Sequence, residues 1–186
     1  ILIISISVLI LIIIASISYL SESKKRKNIL LSDNYIKAKI YITEKKNSEA
    51  EIILKEIIYD DGGIYSILSF FLILNENLIE DPEEITNLFN YLLSNSKINE
   101  EHKNLLIFKK SLFDSNIAEE EKLIDSLKSL INSDSLWKPH ALLLLGDYFF
   151  SKKELSKSKD FYSQILQLEN LPNNLYNHSQ SQLIIK

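Results

Sequence analysis

The sequence predicts an all-α chain: an N-terminal transmembrane helix followed by an α-α superhelical solenoid of about four helix pairs plus a closing helix. Three observations carry that expectation. Only three glycines and three prolines occur in 186 residues, too few turn formers for a barrel or sandwich of many hairpins. The first twenty residues carry no charge. A layout of small, aromatic and aliphatic residues recurs 108 positions apart: Ala38, Tyr41, Ala50 and Ile57 against Gly146, Phe149, Ser158 and Ile165.

Residues 1–20, ILIISISVLILIIIASISYL, are expected to span the bilayer as one helix. Twenty residues at ~1.5 Å each match a hydrocarbon layer of about 30 Å, and the serine hydroxyls can bond back to their own helix. A cleaved secretory signal is the alternative, since Ser16 and Ser18 are small residues at an acceptable spacing, although signal cores are usually shorter. The run starts without methionine, so the natural N-terminus is expected to lie further upstream. Residues 21–32 read as a basic juxtamembrane linker in which Lys24, Lys25, Arg26 and Lys27 snorkel to lipid headgroups. Taken alone, that flank would hold the following domain in the cytoplasm; the rule compares two flanks, and the second precedes Ile1.

Residues 33–186 read as the repeat domain. Ile52, Ile53, Leu54, Ile57 and Ile58, and later Phe161, Tyr162, Ile165 and Leu166, recur at helical intervals and mark second helices of a pair. A small residue on each partner lets the paired helices approach closely, and bulky neighbours fill the groove beside them. The shift of 108 is three periods of about 36, which calls for two further pairs, 63–77 with 81–95 and 99–115 with 118–132. First helices are expected to begin near 33, 64, 99 and 137, and the closing helix near 173. Asp81-Pro82-Glu83-Glu84 carries the residues of a capping box, Gly62-Gly63 can supply positive backbone angles, and Pro172 opens the last helix.

Composition excludes several chemistries. Without cysteine there is no disulfide, thiolate metal site or cysteine nucleophile. His102, His140 and His178 lie in different repeats without ligand spacing, and Glu119–Glu121 are explained by the dipole at a helix N-terminus. There is no phosphate-cradling glycine loop and no Gly-x-Ser-x-Gly turn. No catalytic residue, cofactor or metal is expected, so the chain is read as a non-enzyme. Four of its basic residues lie at or before Lys27, leaving the remainder more acidic than the overall charge of −4 and a poor partner for nucleic acid. Trp137, the only tryptophan, is expected to pack across the joint between repeats rather than serve as a binding anchor.

Leu142, Leu145, Gly146, Phe149, Ser158, Tyr162 and Ile165 resemble the tetratricopeptide repeat pattern, with Asn170 where that pattern often has proline. Asp61-Gly62-Gly63-Ile64-Tyr65, Leu136-Trp137-Lys138-Pro139 and Leu144-Leu145-Gly146, together with the order of segments, are similar to the bacterial tetratricopeptide-like family that includes the ancillary subunit of the Sec translocon, particularly its alphaproteobacterial members. The resemblance implies a single-pass protein of the bacterial inner membrane, anchored in the lipid bilayer through residues 1–20. Its repeat domain would face the periplasm and contact translocon subunits or periplasmic chaperones. By the spacing repeat families use, Tyr35, Lys39, His140 and Asp147 should face the concave, partner-binding wall. The expected function is a membrane-anchored protein-interaction scaffold. The alternative is a self-associating module, a homo-oligomer formed through Leu183, Ile184 and Ile185.

Overall fold

The computed structural model describes residues 2–60, 62–94 and 98–184, with side chains described from Ile13 onward. Among the described residues there are nine helices and no strand: α1 Leu2–Thr43, α2 Asn47–Tyr59, α3 Ile64–Asn75, α4 Pro82–Ser94, α5 Glu100–Asp114, α6 Glu120–Ile131, α7 Lys138–Ser151, α8 Leu155–Leu166 and α9 Asn173–Ile184. They belong to two compact units, the division falling between Leu88 and Phe89 inside α4.

The separate transmembrane helix is corrected. Among the described residues no helix is long and apolar enough to cross a membrane. The side chains of residues 1–12, most of the apolar run, lie outside the described residues. Nor does the helix stop where the charges begin. The first glycine is residue 62 and the first proline residue 82, and Lys and Arg are good helix formers, so nothing between residues 20 and 33 interrupts the backbone hydrogen bonds. α1 therefore runs for 42 residues, and the helix expected to begin near 33 is its final stretch.

In the first unit, α2 packs against both α1 and α3, and α1 also touches α3. Leu31 and Ala38 of α1, Ala50, Leu54, Ile57 and Ile58 of α2, and Ile67, Phe70 and Ile73 of α3 are buried. Where α2 gives way to α3, the buried Ser66 hydroxyl accepts from the Gly62 N–H (2.9 Å) and reaches the carbonyls of Ile57 (3.1 Å) and Ile58 (3.3 Å), satisfying groups a helix end leaves orphaned. Of the two glycines only Gly63 takes a positive φ, 58°. Gly62 sits in a tight place, since a Cβ there would stand 3.1 Å from a Leu31 methyl carbon and 3.3 Å from Ser66 Oγ and those side chains would have to give by a few tenths of an ångström. Asp81 caps α4 through the Glu83 N–H (2.9 Å). Glu84 does not reach back as a capping box requires; it pairs with Lys55 of α2.

In the second unit, α6 packs against α5 and α7, α8 against α7 and α9, and α7 touches α5 and α9 directly. The first helices α5, α7 and α9 are thus neighbours. Leu123, Leu127 and Leu130 of α6 meet Ala141, Leu145 and Phe149 of α7, while Leu142 joins Tyr162 and Ile165 of α8. The 108-residue correspondence extends to the turns. Lys45 and Lys153 both take positive φ, 60° and 62°, and the next N–H in each case returns to the carbonyl of the aromatic residue five positions back, Lys46 to Tyr41 and Glu154 to Phe149. Asn77, φ 51°, ends α3 likewise, with Leu78 bonded to Ile73. These are Schellman closures, which favour glycine because a left-handed residue with a Cβ is strained. Lys153→Gly is accordingly expected to raise the unfolding free energy by about 0.5–1 kcal/mol, the relief of strain exceeding the flexibility glycine adds to the unfolded chain. Urea denaturation checks it; a lowered midpoint would show that Lys153 is unstrained.

Candidate functional site

The second unit has an open groove of about 390 Å³ where the loops preceding α7 and α9 come together. Leu136 and Pro139 on one side and Leu168 and Pro172 on the other supply apolar walls; Lys138, His140 and Glu169 supply polar groups. Leu136 is 75% exposed. Asn170 in the second wall takes φ 54°, a conformation closed to proline and tolerated by asparagine, which explains the departure from the repeat pattern there.

The first wall is held by a polar cluster that no local sequence pattern marks. The buried Asn104 of α5 donates to Ser135 Oγ (3.1 Å), whose hydroxyl lies 3.2 Å from Glu101 Oε2. The same carboxylate oxygen accepts from the Leu136 N–H (3.3 Å), and Ser135 Oγ accepts from the Trp137 N–H (3.1 Å). Glu101 and Asn104 look in sequence like ordinary residues of an N-terminal helical turn; only the period of the repeat, which places residue 135 beside the start of the preceding first helix, hints at their role. Trp137 packs across the α5–α7 joint, its ring stacked on Phe108 with centroids 5.7 Å apart.

His140 sits beside these rings, 5.3 Å from Trp137 and 5.8 Å from Phe108. Its Nδ1 is buried with no hydrogen-bond partner among the described residues. Burial, and secondarily the charge of Lys109, lower its pKa below the usual histidine value. The unfolded chain takes up this proton near pH ~6.5 while the folded chain resists it, so its contribution to stability is present above that pH and lost as pH falls through it. His140→Phe, which keeps an aromatic ring against Phe108 and Trp137, should therefore reduce the loss of stability between neutral and mildly acidic pH. Urea midpoints of both proteins across that range test this; parallel profiles would show that His140 does not contribute.

The other expected wall residues are differently employed. Asp147, one face of α7 with His140, accepts from the Tyr162 hydroxyl (2.6 Å) and lies 3.2 Å from His178 Nε2, tying α7 to α8 and α9. Burial first, and then the bond to Asp147, hold the Tyr162 phenol well above its ordinary pKa. Tyr35 and Lys39 share a face of α1 in the first unit, where the half-buried Tyr35 ring packs 6.3 Å from Tyr65 and Lys39 is exposed. Within the first unit Tyr35 and Lys39 share α1, and within the second His140 and Asp147 share α7. Of the residues read as a self-association patch, Leu183 packs against the Leu142–Tyr162–Ile165 cluster, Ile184 is exposed, and Ile185 lies outside the described residues. Among the described residues no three histidine or carboxylate side chains are grouped to hold a metal ion.

The fold and groove define a class no finer than an all-helical chain of packed helix pairs. No family model matches the sequence, and no curated protein or solved structure matches it.

Proposed function

We propose that this chain is a protein-binding scaffold rather than an enzyme, and that the groove between the α7 and α9 entry loops takes a short, partly apolar segment of a partner protein. The supporting observation is the exposure of Leu136 beside Pro139, Leu168 and Pro172 in a groove whose first wall is fixed by the Glu101–Asn104–Ser135 cluster. A preformed apolar concavity with a few polar groups at its edge suits a peptide, because little ordering cost remains when the segment binds. The sequence resemblance favours translocon subunits or chaperones as partners. A photo-crosslinking amino acid at Leu136 or Pro139 in intact cells should give discrete protein adducts that are absent when it is placed at Lys122 on α6. Adducts no stronger at the groove than at Lys122 would remove the proposal.

Among the described residues the self-association reading is supported by the exposed Ile184 at the end of α9, while Leu183 is half-buried against the α7–α8 cluster. Sedimentation over a range of concentrations separates the two readings.

A further inference from the structure

The four basic residues 24–27 do not act as one cluster. Arg26 pairs with Glu22 one turn back (3.3 Å), and Lys27 reaches the end of α2, where its ammonium donates to the Asp60 carbonyl (2.7 Å) and carboxylate (3.1 Å). Lys24 and Lys25 make no ion pair among the described residues, and both line an open groove of about 420 Å³ along α1. Ser21, Asn28 and Ser32, which follow one another at helical intervals on α1, continue that lining, and Tyr65 at the start of α3 is its opposite wall. Among the described residues no carboxylate lines the groove, in a chain with an acidic net charge; Glu22 is paired with Arg26 and Asp60 with Lys27, while Asp33 follows the lining Ser32 along α1.

Two unpaired ammonium groups and a row of hydroxyl and amide donors are complementary to a phosphate. On the preceding turns of the same face, Ile13, Ile17 and Leu20 stand eleven, seven and four residues before Lys24, and all three are exposed. A free phosphate gains nothing from those side chains. A phosphate carrying acyl chains buries them. We propose that this groove binds the phosphate of an anionic phospholipid head group, with α1 lying against the lipid surface along its Ile13–Lys24 face. The site is independent of the peptide groove in the second unit.

The full chain is tested by co-sedimentation with vesicles of phosphatidylcholine alone and of equal parts phosphatidylcholine and phosphatidylglycerol. Binding should favour the anionic vesicles. Lys24→Gln with Lys25→Gln should weaken that binding about thirty-fold, the effect expected of two basic residues at a lipid surface. Lys122→Gln with Lys128→Gln, the same charge change on α6, should leave it nearly unchanged. Tyr65→Phe, which alters no charge, should weaken it further. Equal losses in the two lysine pairs, or no preference for anionic vesicles, overturn the proposal. So does a saturable response of the Asn28 and Tyr65 amide NMR signals to inorganic phosphate in a chain that ignores vesicles, which would assign the groove to free phosphate instead.

Discussion

Replacing Phe149 by alanine is expected to lower the unfolding free energy by about 3–5 kcal/mol, the largest single effect in the second unit. The side chain is fully buried, and its ring stacks on Phe161 with centroids 5.5 Å apart and meets Tyr148 edge-on at 5.4 Å. It also closes the cluster in which the α6 leucines meet α7. Alanine would remove the ring and leave a cavity that three separate helices would have to collapse to fill. Because a domain's total stability is about 5–15 kcal/mol, the variant should unfold at much lower urea or fail to accumulate. A loss below about 1 kcal/mol would mean that the α6–α7–α8 packing is looser than these distances imply.

Gly146→Ala is expected to destabilise by about 1–3 kcal/mol, for the opposite reason. A Cβ at this position would lie 2.7 Å from Tyr162 Cε1 and 2.9 Å from Cδ1, inside any real carbon contact. The Tyr162 ring cannot swing aside cheaply, because its hydroxyl is held by Asp147 and its surroundings are buried. The neighbouring Ser158 hydroxyl also donates to the Gly146 carbonyl (2.9 Å), so helix separation would strain that bond as well. The first unit uses a different combination at the corresponding places, Ala38 with Leu54, both fully buried. Tyr162→Leu should therefore rescue part of the Gly146→Ala loss, with a coupling of about 0.5–3 kcal/mol in a double-mutant cycle. Additive losses would show that the residue pair is not what sets the approach of α7 to α8.

Much of the helical succession was legible because the chain marks its first helices clearly. Gly63, Asn99 and Pro172 lie immediately before α3, α5 and α9, and the Asn99 side chain accepts from the His102 N–H, so these starts fall within a residue or so of expectation. The small residues Ala38, Ala50, Gly146 and Ser158 are all buried, as their recurrence suggested. The continuity of α1 is hidden by the change from apolar to basic residues, which suggests a change of structure although charge alone does not end a helix. Lys45 and Lys153 were not legible as left-handed residues, since lysine has no intrinsic preference for that conformation and only the surrounding closure imposes it. The groove was half legible. His140 was singled out by spacing, but the Glu101–Asn104–Ser135 support depends on contacts between residues more than thirty positions apart, which local pattern does not encode.

The unbroken run of α1 has a consequence for phase. One extra residue inserted between Leu20 and Lys24 would leave the packed end untouched yet swing Ile13, Ile17 and Leu20 about 100° around the axis, whereas seven extra residues would return them to within about 20° of where they began. The angular bearing of the exposed end is thus dialled in by residue count, with the backbone serving as a rigid shaft clamped at its far end by Leu31 and Ala38.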